Sequence, residues 1–364
     1  MRILYDHQVF SLQDAGGASR YHYELARNLS EYPDVAVSAF LGFNGSVHPF
    51  ESLKSASILS VRSTLRPGLV RYAANEALTG VRALVAGRWD IYHPTLYRAM
   101  PWTRSRKIVV THHDCTHERF PELFPDVSRI LRAKAKLFSA ADAIICVSAS
   151  SQRDLLQFYL IDPKKTHVIH HGLEPGHRDD VAVGMFERRL SRPYLLYVGA
   201  RHGYKNFTRL LRAYANAGLA KDYDLLVIGG GEWTAAETEL AKRLGVFDHL
   251  LLIPCADDSV LLEAYSRAVL FVYPSLYEGF GFPPLEAMSA GCLTAVGSTS
   301  SMPEVCGDAA FYFDPADESS IEKTVVEALN SPTRGSKIKA GADRARAFSW
   351  PRCAEQTLQV YRSN

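Results

Sequence analysis

Short apolar runs alternate with amphipathic segments along most of the chain. Runs such as 143–147 and 269–273 hold five consecutive apolar residues, which is typical of strands buried on both faces of a parallel sheet. The predicted strands cover 2–5, 35–43, 90–93, 107–111, 143–147, 166–170, 194–198, 224–228, 250–253 and 269–273. The predicted helices cover 19–30, 66–88, 126–139, 148–159, 207–217, 234–244, 258–268 and 350–361. This alternation indicates an α/β protein.

The strand–helix pattern stops once and then restarts. Residues 174–193 are polar, contain acids, arginines and prolines, and show no periodicity, so they indicate a linker. A chain of 364 residues has room for two cores. We therefore predict an N-terminal domain at 1–175, a linker at 176–192, a C-terminal domain at 193–349, and a helix at 350–364 that packs on either domain. Both domains are predicted to be doubly wound and Rossmann-like, with a cleft between them.

Composition narrows the class of protein. A net charge of +2 argues against a general nucleic-acid binder, and no apolar run approaches the length of a membrane span. The six cysteines form no CxxC pair and mostly adjoin apolar runs, which predicts reduced core thiols and a cytoplasmic protein. The N-terminus is predicted to be a first strand rather than a signal peptide.

One region departs from this near-neutral balance. Residues 51–140 carry 15 Lys and Arg against 7 Asp and Glu, a net of +8. Within it, the predicted helix 66–88 has a stripe of apolar residues: Leu69, Ala73, Leu78, Val81, Leu84 and Val85. Such a stripe is explained by packing on a sheet. The alternative is contact with an anionic membrane surface, which would make the protein peripheral on the inner face of the cell membrane.

The richest chemistry lies in the segment YEGFGFPPLEAMSAG at 277–291. It follows a predicted strand, continues through glycines and two prolines, and ends at Gly291, so it predicts a strand, a glycine loop and a short helix. Such a turn presents backbone N–H groups to an anion. Glu278, predicted to be exposed, and Glu286 flank it, and carboxylates accept hydrogen bonds from sugar hydroxyls. The pattern indicates a site for a phosphate with sugars beside it.

Other candidates lie where predicted strands end. Arg201 and Lys205 follow the strand 194–198, and together they suit a diphosphate. Gly16 and Gly17 lie in a predicted loop at 11–19, and Gly230 lies in a Gly-Gly-Gly turn; each is explained by a phosphate contact or by a turn alone. His112, His113 and Asp114 follow the strand 107–111, where either a site or a helix cap with a structural histidine accounts for them.

These motifs together resemble glycosyltransferase family 4, the retaining nucleotide-sugar glycosyltransferases of the GT-B fold. The resemblance spans nearly the whole chain and includes EGFGFPPLEAMSAG at 278–291, VGARHGYKN at 198–206, VIGGG at 227–231 and THHD at 111–114. The pair of glutamates with the Arg/Lys loop is highly specific. The chain departs from the family at 170–171, where histidines replace a common asparagine, at His112, and at Leu293-Thr294.

The resemblance implies a role for each candidate. Glu286 would bind the ribose, and Arg201 and Lys205 would hold the diphosphate with help from Gly16 and Gly17. The acid Glu278 and the amides of Gly279, Phe280, Gly281 and Phe282 would hold the donor sugar. His113 would reach that sugar near its anomeric carbon. His112, Asp114 and Gly230 are weaker candidates.

No DxD-like metal motif accompanies these residues. Asp257 and Asp258 are adjacent and are predicted to cap a helix, so donor binding is expected to be independent of metal, with no cofactor. Cationic side chains and helix N-termini would stabilise the departing nucleoside diphosphate instead. The expected activity is transfer of a hexose, with GDP-mannose favoured by the resemblance, to a glycan or lipid-linked acceptor.

Two alternatives remain at this stage. A same-fold epimerase or phosphorylase would share the domains but use another reaction. A non-catalytic protein could bind the nucleotide sugar without turning it over.

Overall fold

The computed structural model describes residues 1–14, 16–50, 53, 56–62, 68–83, 88–97, 104–174 and 192–363. Contacts divide the chain into two compact units, with Met1–Gly172 and Ser349–Asn364 in unit 1 and Leu173–Phe348 in unit 2. The predicted linker at 176–192 lies outside the described residues except for Arg192. The C-terminal segment therefore belongs to unit 1.

Unit 1 contains a seven-stranded sheet in which all the pairs are parallel. Its strands are β1 (Arg2–Tyr5), β2 (Ala36–Asn44), β3 (Ala56–Arg62), β4 (Trp89–His93), β5 (Ser105–His112), β6 (Ala143–Cys146) and β7 (Thr166–Val168). Their order across the sheet is β3-β2-β1-β4-β5-β6-β7. The helices described before the second unit are α1 (Gln8–Leu12), α2 (Gly17–Leu29), α3 (Gly68–Ala83), α4 (Thr116–Arg119), α5 (Val127–Ala140) and α6 (Ala149–Phe158).

Unit 2 contains a six-stranded sheet with the same parallel pairing. Its strands are β8 (Tyr194–Val198), β9 (Asp224–Ile228), β10 (Leu250–Ile253), β11 (Leu270–Tyr273), β12 (Thr294–Gly297) and β13 (Phe311–Phe313), in the order β10-β9-β8-β11-β12-β13. Its helices are α7 (Phe207–Asn216), α8 (Ala235–Arg243), α9 (Asp258–Arg267), α10 (Phe282–Ser289), α11 (Met302–Cys306), α12 (Glu318–Asn330) and α13 (Arg334–Arg346). The two parallel α/β sheets confirm the predicted fold class.

The strand order fixes where each sheet can bind a ligand. In unit 1 the order reverses between β1 and β4, and in unit 2 it reverses between β8 and β11. The connections run to opposite sides of such a point, which leaves a crevice outside the carboxyl ends of the two strands. The loops after β8 and β11 are therefore the expected ligand-binding edge of unit 2.

A final helix, α14 (Trp350–Arg362), packs on α2 in unit 1. The Tyr361 hydroxyl lies 3.0 Å from the Tyr5 hydroxyl and 2.5 Å from His93 Nδ1. The Lys107 ammonium donates to the carbonyls of Val360 in α14 and of Ser363 just after it. Gly172 lies so close to this helix that a Cβ atom there would be 2.2 Å from the Trp350 amide nitrogen. Helix α14 is therefore part of unit 1.

Several elements were not predicted from the sequence. Helix α1 occupies part of the predicted loop 11–19, β3 was missed, and β12, β13 and helices α11 to α13 follow the glycine motif without having been assigned. The segment 8–12 is too short for a helical period to be recognised. Five cysteines are buried free thiols as predicted, whereas Cys255 is exposed.

Helix α3 exposes apolar side chains and buries polar ones, which is the reverse of what packing of an apolar stripe on a sheet requires. Leu69, Val70 and Leu78 are 57%, 48% and 44% exposed, whereas Arg71 and Asn75 are buried. The predicted stripe is therefore not packed on the sheet where it is described, and Val81, Leu84 and Val85 lie outside the described side chains.

The buried face of α3 is held by polar contacts. The Arg71 guanidinium donates to the Ser11 carbonyl and to Asp14, and the Asn75 amide donates to the carbonyl of Phe43 and to Ser11 Oγ. These partners belong to α1, the loop after it and β2, so α3 is tied to the unit by its polar side. Its apolar side is left at the surface.

The basic region is less basic at the surface than its residue count suggested. Lys134 is fully buried and pairs with the Glu118 carboxylate at 2.7 Å, and Arg71 pairs with Asp14 at 2.6 Å. These two cations therefore stabilise the interior of unit 1. Within the described ranges, no helix combines the length and apolarity needed to cross a membrane.

Candidate active site

The predicted strand, glycine loop and helix at 277–291 are present at the carboxyl end of β11. Helix α10 begins at Phe282 and ends in a turn where the Gly291 N–H donates to Met288 and the Cys292 N–H donates to Ala287. This is the Schellman pattern, and it requires the left-handed conformation that Gly291 adopts, with φ of 72°. The glycine at 291 thus terminates α10 as the sequence indicated.

The start of α10 is a poorer anion site than the motif suggested. Pro283 and Pro284 occupy the second and third helical positions, so neither position carries an N–H group. Of the first three helical residues only Phe282 can donate from its backbone. An anion here has to be bound mainly by the loop before the helix and by side chains from neighbouring strands.

Lys205 and Glu278 form the centre of this edge. Their side chains meet across the switch point, with Lys205 Nζ 2.7 Å from Glu278 Oε1. The Tyr273 hydroxyl donates to the same carboxylate oxygen at 2.7 Å. Glu278 is only 12% exposed, so the prediction that it is an exposed acid was wrong. The loops after β8 and β11 therefore bring a cation and an anion together where a ligand is expected.

The Lys205 ammonium stays charged despite its burial. Burial alone would lower the pKa of the Lys205 ammonium, but the Glu278 carboxylate, with Tyr273 and Tyr204 beside it, holds that pKa well above its ordinary value. The ammonium has hydrogen bonds to Glu278 and, at 3.4 Å, to the Tyr273 hydroxyl. These two bonds leave one N–H of the ammonium for a ligand.

Asn206 locks the loop after β8 to its neighbours. Its backbone adopts a left-handed conformation with φ of 62°, and its side-chain amide donates to the carbonyls of Pro274 and Pro315. In addition, the Leu276 N–H donates to the Tyr204 carbonyl at 2.8 Å. The position of Lys205 is thus set by the loops around it.

Hydroxyl groups after β12 hold the loop that carries Glu278. The Ser300 hydroxyl accepts from the Glu278 N–H at 2.9 Å, and the Ser301 hydroxyl donates to the carbonyls of Glu278 and Phe280. Ser300 has φ of 53°, a conformation that costs a non-glycine residue energy and clusters at functional sites. Sequence reasoning missed these serines because β12 was not assigned. The run Ser298-Thr299-Ser300-Ser301 directly after an apolar segment was the available signal.

Glu286 lies on α10 with a tyrosine against it. The hydroxyl of Tyr265, which is buried on α9, donates to Glu286 Oε2 at 3.2 Å. Beside the helix, Phe280 is buried between the rings of Phe282 and Phe348, with ring centroids 5.5 and 5.7 Å apart. The Glu286 carboxylate is therefore held in place by the Tyr265 hydroxyl.

Arg201 is placed differently from Lys205. Its guanidinium donates to the carboxylate oxygens of Glu237 and to the carbonyls of Gly229, Gly231 and Glu232, at distances from 2.6 to 3.3 Å. These bonds use all five N–H donors of the side chain. The side chain is 3% exposed, and its guanidinium carbon lies 4.7 Å from the centroid of the Trp233 ring. In this arrangement Arg201 has no donor left for a diphosphate.

The Gly-Gly-Gly turn follows β9 and packs on Arg201. All three glycines, Gly229 to Gly231, have φ between 74° and 96°, which only glycine adopts at little cost. A Cβ atom on Gly230 would lie 2.9 Å from Arg201 Nη1. The turn is therefore shaped around the guanidinium.

In unit 1, Gly16 and Gly17 form the start of a long helix. Gly16 is the N-cap of α2 and Gly17 is its first residue, and both are exposed. The first turn of this 13-residue helix presents N–H groups with no intrahelical acceptor. Helix α2 thus begins two residues before the predicted helix 19–30, and the two glycines lie at its N-terminus instead of within the predicted loop 11–19.

His113 lies after β5 in a cluster of buried aromatic rings. Its ring centroid lies 5.5 Å from Tyr21, 6.0 Å from His22 and 5.8 Å from His171. Burial lowers the pKa of His113 to about 4 and that of His93 to about 3, and it lowers the pKa of His22 and His171 well below the ordinary value. His113 Nε2 is buried without a hydrogen-bond partner in the described part of the chain. A neutral imidazole with an unsatisfied nitrogen is suited to a polar ligand.

The two neighbours of His113 are explained by the fold. His112 is fully buried with its ring 5.4 Å from Phe138, so it belongs to the core of unit 1. Asp114 accepts a hydrogen bond from the Thr116 N–H at 2.9 Å at the start of α4. Burial would raise the pKa of Asp114, but Lys134 and the Thr116 contact lower it. Both residues support the loop that carries His113.

No group of three side chains suited to a metal ion occurs within the described ranges. Asp257 is the N-cap of α9 and accepts from the Val260 N–H at 2.9 Å, as predicted for a capping aspartate.

Solved structures with the same fold define the class. Sucrose-phosphate synthase from Thermosynechococcus elongatus superposes with a TM-score of 0.76 at 18% identity over 99% of this chain and 98% of that chain. WaaG, a glycosyltransferase involved in lipopolysaccharide biosynthesis, gives 0.74 at 16% identity over 100% of both chains. At these identities the likeness shows the fold alone. Unit 1 and unit 2 are the two α/β parts of the GT-B architecture.

Sequence comparison then identifies the family. Residues 15–177 match the model of Glycosyltransferase Family 4, and residues 186–345 match that of Glycosyl transferases group 1. The O-antigen chain mannosyltransferase B of Escherichia coli is 30% identical over 288 residues, covering 75% of this chain and 74% of that protein. An alpha-maltose-1-phosphate synthase of Mycolicibacterium smegmatis is 32% identical over 61% of this chain and 63% of that protein. The chain belongs to glycosyltransferase family 4, as its motifs indicated, and is a glycosyltransferase.

Proposed function

We propose that the chain transfers a hexose from a nucleoside-diphosphate sugar, GDP-mannose, to a hydroxyl of a glycan or lipid-linked acceptor, with retention of the anomeric configuration. The observation that carries this proposal is the Lys205–Glu278 pair at the switch point of unit 2. A cation for phosphate and a carboxylate for sugar hydroxyls lie 2.7 Å apart. The mannosyltransferase from Escherichia coli supports mannose as the sugar and bacterial polysaccharide as the product.

Binding of the donor is assigned to four features of unit 2. Lys205 contacts the diphosphate with its free N–H, and Glu278 accepts hydrogen bonds from the sugar. The loop from Gly279 to Phe282 supplies backbone donors, and Glu286, anchored by Tyr265, accepts from the ribose hydroxyls. Anabaena HepE, which has the same fold with a TM-score of 0.72, was solved in complex with UDP-glucose. That complex supports a nucleotide-sugar ligand for this fold.

In unit 1, the proposed substrate contact is a neutral histidine. His113 Nε2 is buried and unsatisfied, so a substrate hydroxyl restores its hydrogen bond. Gly16 and Gly17 place the N-terminus of α2 for an anionic group of the substrate.

The reaction proceeds by substitution at the anomeric carbon. The bond from that carbon to the diphosphate oxygen breaks early, and both electrons leave with the nucleoside diphosphate. The acceptor oxygen forms its new bond on the face that the diphosphate leaves, and its proton passes to a phosphate oxygen. No protein nucleophile is required. Lys205 stabilises the charge that develops on the leaving group.

Donor binding in this proposal needs no metal ion. The positive charge comes from the Lys205 ammonium and from the N–H groups of loops and helix ends. Transfer is accordingly expected to continue in EDTA at the rate seen with added Mg²⁺. A strict requirement for Mg²⁺ or Mn²⁺ would contradict this part.

Product analysis tests the activity. We expect GDP-mannose and mannosyl-terminated acceptors to give a new linkage whose anomeric configuration, read by NMR, matches that of the donor. A product of opposite configuration would overturn retention. Release of phosphorylated sugar or conversion of the donor to an epimer would instead indicate a phosphorylase or an epimerase, and binding without any conversion would indicate a non-catalytic protein.

We also propose that α3 contacts an anionic membrane surface from its apolar side. Leu69, Val70 and Leu78 are exposed on the helix that buries Arg71 and Asn75. The sequence from 62 to 88 contains one acid, Glu76, and four arginines besides Arg71, which is buried against Asp14. Apolar side chains with basic residues beside them are suited to the headgroup region of anionic lipid.

Vesicle co-sedimentation tests the membrane contact. Vesicles with anionic lipid should sediment the wild type at low salt and release it at high salt, because screening weakens the electrostatic part. Leu69→Ser with Val70→Ser should reduce binding, whereas Leu160→Ser, at a fully exposed position outside α3, should not. Equal sedimentation with neutral and anionic vesicles would remove this proposal.

A further inference from the structure

Arg201 and Lys205 follow the same strand, yet the structure gives them opposite surroundings. Lys205 points to the switch point and pairs with Glu278. Arg201 points to the other side of β8, to the turn after β9. The sheet order places β9 and β11 on opposite sides of β8, so the two cations serve different loops.

The charge of Arg201 is already compensated. Its Nε lies 2.7 Å from Glu237 Oε1, and Glu237 is only 16% exposed. Burial would raise the pKa of Glu237, but the hydrogen bonds from Arg201 and Thr234 lower it, so the carboxylate stays ionised. A diphosphate would have to break this pair to reach the guanidinium.

The remaining donors of Arg201 fix the backbone of the glycine turn. Carbonyls of Gly229, Gly231 and Glu232 accept from its two terminal nitrogens. Glu237 also completes a capping box with Thr234 at the start of α8. One guanidinium therefore connects the turn after β9 to the helix that follows it.

We infer that Arg201 is a positioning residue: it shapes the glycine turn 229–231 for the nucleotide through Glu237 and the turn carbonyls, and Lys205 alone of the two binds the diphosphate. This inference rests on the proposed function, since it assigns roles within the same donor site. The nucleoside part of the donor is the ligand we assign to the turn, because glycines let a ligand approach the backbone closely. A guanidinium is required because no lysine reproduces five donors in a planar fork.

Binding measurements on paired ligands separate the two roles. The probe is whichever of GDP, UDP, ADP and TDP binds the wild type most tightly, together with its nucleoside. Arg201→Lys, Arg201→Gln and Glu237→Gln should each weaken both ligands about tenfold to a hundredfold, because hydrogen bonds to a charged group are lost. The ratio between the two affinities should stay within about twofold, whereas Lys205→Ala should lower the affinity for the diphosphate more than tenfold relative to the nucleoside.

A double variant of Arg201 and Glu237 and a change in the glycine turn test whether the effect comes from this contact. Arg201→Gln combined with Glu237→Gln should cost less than the sum of the two single changes, because both break the Arg201–Glu237 contact. Gly230→Ala should reproduce the equal loss on both ligands, since its Cβ atom would lie 2.9 Å from Arg201 Nη1 and its φ of 77° is strained. Arg212→Gln serves as control, because Arg212 is in a half-exposed pair with Glu318 at 3.7 Å.

Two results would overturn the inference. One is a selective loss of affinity for the nucleoside diphosphate relative to the nucleoside in Arg201→Gln that Arg201→Lys restores and Glu237→Gln does not show. Only the charge of Arg201 would then matter. The other is an unaltered affinity in Gly230→Ala. Failure of the wild type to bind any of the four diphosphates would contradict the proposed function itself.

Discussion

Replacing Lys205 by alanine removes a cation from the switch point and leaves Glu278 without its ion-pair partner. Glu278 Oε1 would keep the hydrogen bond from the Tyr273 hydroxyl, 2.7 Å away. Breaking a fully buried pair costs about 3–5 kcal/mol, and we expect about 2 kcal/mol here because both side chains retain some contact with solvent. A domain of ordinary stability tolerates such a loss, so the variant should stay folded.

The loss of activity in Lys205→Ala should be larger than its loss of stability can explain. Removing one charged donor from a leaving group costs about 10²–10³ in rate, by analogy with the loss of an oxyanion-hole donor. We expect kcat for Lys205→Ala to fall on that scale. The assay is release of nucleoside diphosphate from the donor, followed at a temperature well below the unfolding transition.

A double variant distinguishes charge repair from catalysis. Lys205→Ala with Glu278→Gln removes the unpaired carboxylate, so the free energy of unfolding should recover by about 1 kcal/mol. Its activity should not recover, since the diphosphate still has no cation and the donor sugar has lost the Glu278 carboxylate. Lys242→Ala, which changes an exposed lysine of α8, is the matched control and should leave both quantities unchanged. Near-normal turnover by Lys205→Ala would refute the assignment of Lys205.

Three further predictions concern stability and the second carboxylate. Gly172→Ala should lower the free energy of unfolding by more than about 2 kcal/mol, because its Cβ would lie 2.2 Å from the Trp350 amide nitrogen, whereas Gly335→Ala, with no atom within 4 Å, should stabilise slightly in chemical denaturation. Lowering the pH from 7 to 5 should destabilise unit 1 by about 2 kcal/mol for His113 alone, because its folded pKa of about 4 lies below the unfolded value. That stability is present above about pH 6.5 and is lost as the pH falls towards 4; His113→Gln should flatten the dependence, and an unchanged slope would contradict the burial argument. Tyr265→Phe should raise the KM for the donor up to about tenfold, because the hydrogen bond to Glu286 is lost. An unchanged KM would contradict the assignment of Glu286 to the ribose.

The sequence was sufficient for the fold and for the glycine motif, because both depend on local pattern. Buried parallel strands appear as apolar runs, and the prolines and Gly291 bound α10 through backbone geometry. The elements after the motif were missed. β13 has only three residues, and in α13 mostly polar residues leave no clear apolar face.

Side-chain environments could not be read from local pattern. Glu278 was expected to be exposed, but Lys205, 73 positions earlier, meets it across two neighbouring strands. Arg201 was expected on a phosphate, and its actual partners lie 28 to 36 residues further along. Such contacts depend on strand order, which no single segment encodes.

The charge of the basic region shows the same limit. Lys134 is one of the 15 cations counted in residues 51–140, yet it is buried with Glu118. The inversion of α3 likewise follows from partners on α1 and β2 that accept its polar side. A residue count fixes net charge, and the fold decides which charges reach the surface.

Nucleotide binding tests the central claim most directly, because it needs no knowledge of the acceptor. The thermal unfolding of the wild type and of Lys205→Ala is followed with GDP, UDP, ADP and TDP in EDTA. A ligand that binds only the native state raises the unfolding temperature. We predict that GDP raises it for the wild type and has little effect on Lys205→Ala. An unfolding temperature that none of the four nucleotides changes would contradict a donor site at the switch point of unit 2.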